Sequence, residues 1–430
     1  MWDGRGARWL AAGVASVSAS CASPAMKAAE HGDRAALLVA ISAGQRRGSL
    51  SNRESAAIAR AVAEQELRTV PPTEALSRVR EARPCAYELD DALADRMRTH
   101  DAIGAAAALA RIEGRGLSPE DARIFATDPD ASWHAVGARA LVRPEDRSNR
   151  LRALLDPDPR VRRQAARAAH DAADGADLDA LAEAARLDPE PIVRTEAVRA
   201  MAVLPPTPRN AVLLRDLWNG GDDGLRQDIP RAWSSASIWG VGGREALRIL
   251  IASEHGPGAI EGAAAVLRRR EDADTEMAQA AAAQLVRAIE SGSRRERLQA
   301  LAQTPLDRNE LVASVKGAAS DDDAEVRVAA LARLAPLDAA RVRELEVLAQ
   351  PGSPVGAQAR FALAGVGDRR VQAWIEQDLA SPTPEERLGA ATALAAMRVP
   401  ARAAALLADG DASVRLRAAC TILMAARAAR

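Results

Sequence analysis

"DPDPRVRRQAARAA", Asp156 to Ala169, is a phrase that the chain repeats. "DPEPIVRTEAVRAM" runs from Asp188, "DDDAEVRVAALARL" from Asp321 and "DGDASVRLRAACTI" from Asp409. Counted from the valine of each, apolar residues return four, five and eight positions later: Ala165, Ala166 and Ala169 after Val161, and Ala330, Leu331 and Leu334 after Val326. That spacing draws one stripe along a helix. Three residues before each valine stands an acid, Asp158, Glu190, Asp323 or Asp411, placed to meet the free amides and positive dipole end of the first turn. Pro159 and Pro191 occupy the first helical position, where a missing amide costs nothing. "SPTPEERLGAATAL" from Ser381 predicts the same start by another route, a capping box of Thr383 and Glu386.

Weaker copies fill the intervals: "DPDASWHAVGARAL" from Asp128, "SGSRRERLQALA" from Ser291 and "PGSPVGAQARFALAG" from Pro351. Successive units fall about 28 to 36 residues apart, with a further helical stretch such as "LDALAEAARL" between them. A helix pair at this period predicts an all-α solenoid of stacked pairs. Composition agrees, since 48% of the 430 residues are hydrophobic but only 2% aromatic, and alanine dominates.

The pattern D-x-[DE]-x-x-V-R-x-x-A resembles the HEAT repeats of short bacterial proteins, most clearly over residues 128–430. The resemblance implies that Arg162, Arg194, Arg327 and Arg415, each following the phrase valine, link neighbouring units through acids. It implies no particular activity, since such arrays serve many functions. Residues 21–127 read as a helical region of degenerate repeats. Within it "AMKAAEHGDRAALLVAISAG" from Ala25 resembles a single ankyrin helix pair.

The first residues have another character. Arg5 and Arg8 precede a short apolar stretch and then small residues, so 1–20 reads as a signal peptide. "SASC" at Ser18–Cys21 resembles a bacterial lipobox, although Ser18 stands where leucine is usual. The resemblance implies lipidation of Cys21 and a place in the cell envelope, facing the periplasm; the alternative is a cytoplasmic protein that keeps this segment. Cys85 and Cys420 leave one disulfide possible, which would bridge the two ends of the chain. As a lone residue, Cys85 reads better as a small buried side chain than as a reactive thiol.

Charge is balanced, 58 Lys+Arg against 59 Asp+Glu, and all but Lys27 and Lys316 of the basic residues are arginine. A general nucleic-acid binder carries a basic surplus that this chain lacks. The five histidines have no metal spacing, and no nucleophile motif or phosphate loop is present, so neither cofactor nor metal is expected. One region breaks the rhythm. In "LWNGGDDGLRQDIPRAWSSASIWGVGGREALRI" from Leu217, Leu225 takes the valine's place, Arg226 keeps the arginine, and Pro230 falls where the helix interior belongs. This irregular stretch, near 217–258, gathers Trp218, Trp233 and Trp239, candidates for a partner-binding patch because tryptophan and arginine dominate interaction hot spots. The reading is a non-catalytic scaffold for a protein partner, touching a membrane only through the lipid. The alternatives are a HEAT-type enzyme or accessory, such as a chromophore lyase, and a cytoplasmic regulatory adaptor.

Overall fold

How the repeated phrase folds explains the rest of the molecule. The computed structural model describes residues 23–269 and 274–429. Over these the chain forms twenty-six α-helices joined by short turns, with no strand among the described residues. The expected signal segment 1–20 and the expected lipidation site Cys21 lie outside them.

In three of the four strong copies the two acids divide the work. Asp156 Oδ1 accepts the amide of Asp158 at 2.8 Å and closes a turn, while Asp158 Oδ1 accepts the amide of Arg160 at 2.8 Å and caps the helix Pro159–Ala172. Asp321 and Asp323 repeat this before Ala324–Leu334, and Asp409 and Asp411 before Ala412–Ala428. Glu190 holds the cap position before Pro191–Met201 but makes no side-chain cap bond. The capping box expected at Thr383 does not form. Glu386 takes its hydrogen bond from the Ser381 hydroxyl, and Thr383 makes no cap bond before Pro384–Ala396. A capping box does open Arg294–Gln303, from Ser293 and Glu296.

The arginine after the valine joins one unit to the next. Arg162 is 9% exposed; its Nη1 donates to the carbonyls of Asp156 and Pro157 in its own turn, while Nε and Nη2 bind Asp188 of the next turn at 2.6 and 2.9 Å. The hydrogen bonds to Asp188, set against the cost of burial, raise the pKa of Arg162 further. One guanidinium therefore satisfies two loops with the planar fork that lysine lacks. The ladder continues through Arg194–Asp222 at 2.6 Å, Arg297–Asp321 at 3.2 Å, Arg360–Asp378 at 2.6 Å and Arg387–Asp409 at 2.9 Å. His134 stands at the arginine position of its unit and lies 3.4 Å from Asp156. Arg327 departs from the pattern: "QPGS" offers no acid there, and its Nη1 bonds the Asp321 carbonyl of its own turn.

The phrase helices pack side by side as one layer. Each touches the next from Pro72–Ala82 through Ala102–Gly114, Ala131–Arg139, Pro159–Ala172, Pro191–Met201, Asp228–Trp233 and Pro257–Arg268, and onward through Arg294–Gln303 to Ala412–Ala428. The partner helices, such as Leu178–Leu187 and Asn309–Ala318, form a second layer that is on the whole more loosely packed, so the phrase layer is the inner one of a curved array. Alanine permits the close spacing. At Gly137 even a methyl group would not fit, since a Cβ there would stand 2.1 Å from the Ala126 amide nitrogen.

The series closes on itself. Ala412–Ala428 packs against Asn52–Thr69 and Pro72–Ala82, so the last phrase helix neighbours the first. A single apolar cluster holds Ile41, Ile58, Leu67 and Val79 from one end together with Leu407, Leu416, Ile422 and Leu423 from the other. Arg415, whose acid should lie in the next unit, finds it in Glu66 at 2.6 Å, and its Nη1 still binds the Asp409 carbonyl at 2.7 Å. Gln45 donates to the Ala401 carbonyl at 3.0 Å, and Asn52 to that of Arg398 at 3.3 Å. Cys85 is fully buried and joined to Cys420 in a disulfide that spans 335 residues, so the bond left open by the sequence is present and Cys85 is no free thiol.

Candidate binding surface

The irregular stretch resolves into packing. The phrase helix starts late, at Asp228, after a single turn at Asp223–Leu225. Pro230 thus falls in a first turn, where its missing amide has no partner to lose, rather than in a helix interior. Leu225 is buried, and Arg226 reaches Glu254 of the next unit at 3.7 Å. Gly242, at φ 130°, lets the chain turn sharply into Arg244–Ser253. Trp233 is 2% and Trp239 8% exposed, both inside the main apolar cluster. Trp218 is partly buried, its ring 5.8 Å from that of Trp233, with Arg226 over its face at 5.0 Å. Arg269 covers Trp239 in the same way at 5.0 Å. Trp218 and Trp233 come together, and Trp233 and Trp239 fill the core rather than a surface.

A different surface gathers charge. Ala102–Gly114 and Ala131–Arg139 present Ala102, Ala105, Ala106, Ala110 and Ala135 to the inner face, while the flanking helices carry arginines: Arg80 and Arg83 on one side, Arg160, Arg163 and Arg167 on the other. Short side chains between long ones leave a hollow of about 170 Å³, floored by Leu76, Val79 and Leu109. Past Arg167 the strip runs on over Arg139, His170, Arg199 and Arg231. Eight arginines and four acids (Glu113, Asp171, Glu196, Asp228) line the two parts, and with Asp158 and Glu261, which pair with Arg160 and Arg231, a surplus of two positive charges remains on a chain whose formal net is −1.

Internal pairing uses some of this charge. Glu113 is the one acid in the hollow and binds both Arg83 and Arg167, the latter at 2.7 Å. Burial opposes its ionisation, yet the two guanidinium groups outweigh that and hold its pKa below the usual carboxylate range. Arg163 approaches Glu196 at 3.5 Å, and Arg160 is held by Asp158 and by the Ser132 hydroxyl at 2.9 Å. The Arg80 side chain makes no ion pair or hydrogen bond with any described residue. Gln164, 6% exposed, has its Oε1 buried without a donor.

Comparison with protein-family models and with curated proteins finds no match. The HEAT and ankyrin likenesses thus rest on the phrases quoted above.

The sequence alone does not single out the arginine surface, although it holds a trace of it. Arg160, Arg163 and Arg167 are spaced three and four apart, opposite the Val161 stripe. That spacing also describes any solvated helix face, and the helices bearing Arg80 and Glu113 lie far off in sequence. Among the described residues no group of histidine, cysteine and acids could hold a metal, and no helix is long and apolar enough to cross a membrane.

Proposed function

We propose that this chain is a non-catalytic scaffold of HEAT type that holds a protein partner along the arginine strip of its inner layer. The observation that carries the reading is the local surplus of positive charge over an apolar floor, on a chain balanced overall. Charge matching of this kind steers and registers a partner. The titratable groups of the strip favour binding over chemistry: Glu113 stays ionised between two arginines and is not poised to carry protons near neutral pH. The partner is protein rather than nucleic acid, because seven of the strip's eight arginines already pair with an acid of the chain.

We place the mature protein in an oxidising compartment. A buried disulfide is at home there and rare in a reducing cytoplasm. Export through residues 1–20 and a lipid on Cys21 accord with that placement, and the intact mass of the protein from its host tests both.

The function is tested by crosslinked capture from the host, comparing the native chain with Arg163→Glu/Arg199→Glu. Circular dichroism shows whether the variant keeps its fold. A specific partner lost with the charge reversal is expected. Identical capture by a folded variant overturns the assignment, as does turnover by the isolated chain.

A further inference from the structure

Within the strip, the hollow between Arg80 and Arg163 differs from the rest by three coincident features. It has an apolar floor of Leu76, Val79 and Leu109, with room for one aliphatic side chain. It has a guanidinium, Arg80, with no partner among the described residues, lining the same hollow as Arg163, whose own acid is 3.5 Å away. It also has a buried acceptor, Gln164 Oε1, with nothing to accept. An acceptor left dry is unfavourable, so a group that supplies an N–H there is bound partly by relief of that cost.

An apolar side chain, a carboxylate and an N–H on neighbouring atoms are what the last residue of a polypeptide offers. A free carboxylate suits the planar fork of arginine, and terminal carboxylates are captured by such clustered donors. We infer that the hollow binds the C-terminus of the partner protein, with the last side chain, aliphatic, on the floor, its carboxylate between Arg80 and Arg163, and its amide N–H on Gln164 Oε1 once that carboxamide turns into the hollow. The inference rests on the strip being a protein-binding surface and states which part of the partner it reads. Glu113 cannot compete for Arg80, because Arg83 and Arg167 already hold it.

The test uses the full chain and a library of seven-residue peptides with free C-termini, the last residue varied, read by fluorescence anisotropy. Peptides ending in leucine, isoleucine or valine are expected to bind. Amidation of the C-terminus removes a charged hydrogen bond and should weaken binding roughly ten- to a hundredfold. Arg80→Gln should do the same; Arg80 is exposed and unpaired, so this variant keeps its fold. Gln164→Leu removes the acceptor of the amide N–H, so it should weaken the peptides and leave octanoate, which has no N–H, unchanged. Amidated peptides that bind as well as free ones overturn the inference, as does octanoate binding as tightly as any peptide. If amidation has no effect while Arg163→Glu/Arg199→Glu still loses a partner in capture, the scaffold stands and only the C-terminal reading fails. If neither matters, both fall.

Discussion

Two junctions of the molecule invite comparison: an ordinary one, between the Pro159 and Pro191 units, and the seam, where the Ala412 helix meets Asn52–Thr69 and Pro72–Ala82. Both use an arginine that holds its own turn's carbonyl and reaches an acid on the neighbour, Arg162 to Asp188 in one case and Arg415 to Glu66 in the other. Both lay alanine and leucine against each other beneath that link. In the first the neighbour is a short distance along the chain. In the second it is 349 residues away, and the disulfide and the Gln45 and Asn52 bonds are added. The contacts of a repeat array are indifferent to whether a neighbour is covalently next. What sequence adjacency supplies for nothing at the ordinary junction, the entropy of the open chain opposes at the seam, and the extra bonds offset it.

The largest expected effect tests the ordinary junction. Arg162→Ala strands Asp188, 8% exposed, without its cation and should cost about 3–5 kcal/mol in denaturant titration. A loss below about 1 kcal/mol would make the ladder ornamental. At the seam, Cys85→Ala/Cys420→Ala should cost about 2–5 kcal/mol. Hydrogen exchange should then rise first in Asn52–Thr69, whereas uniform exchange across the array would mean that the apolar seam suffices. Arg415→Ala and Arg194→Ala form the sharper pair. Their side chains are similarly shielded, 10% and 18% exposed, and each should cost about 1–3 kcal/mol, equal within error if the seam is a true unit junction. A much smaller cost at Arg415 would reduce the seam to a docked end.

The smallest effect is with pH. Arg83 and Arg167 outweigh burial to lower the pKa of Glu113, and Arg160 likewise lowers that of Asp158. A lowered carboxylate pKa gives stability that is whole above the unfolded value, about 4, and is lost as pH falls through the folded value. Asp177 acts in the opposite sense: burial raises its pKa despite Arg150, so the folded chain takes up that proton first and regains a little stability. From these groups the melting temperature should be level between pH 6 and 8 and should fall below about pH 4.5. A decline that sets in near neutrality would point to other groups.

Much of the fold was legible because the phrase is local. Its acids, proline and valine stripe act within two helical turns, and the helix starts at Asp158, Asp323 and Asp411 follow from them. Thr383 failed for an equally local reason, a competing hydroxyl at Ser381. Pro230 was misplaced because its helix begins three residues beyond Leu225, a shift that the repeat count could not register. Trp233 and Trp239 looked like a patch because aromatic content signals recognition only when exposed, and exposure depends on the neighbouring units. The arginine hollow, and all of the seam but its one possible disulfide, were out of reach for one shared reason. Each joins side chains from helices that follow one another around the layer, not along one phrase.

The closure between Cys85 and Cys420 has a geometric consequence. An open array lengthens freely, one repeat at a time, because each new pair needs only the pair before it. Here the inner layer runs full circle, so the number of units sets the circumference and the turn per unit is no longer adjustable. Inserting or deleting a single pair would carry Glu66 away from Arg415 and the two cysteines apart. The size of the circle is therefore a property of the whole chain, which no repeat can change alone.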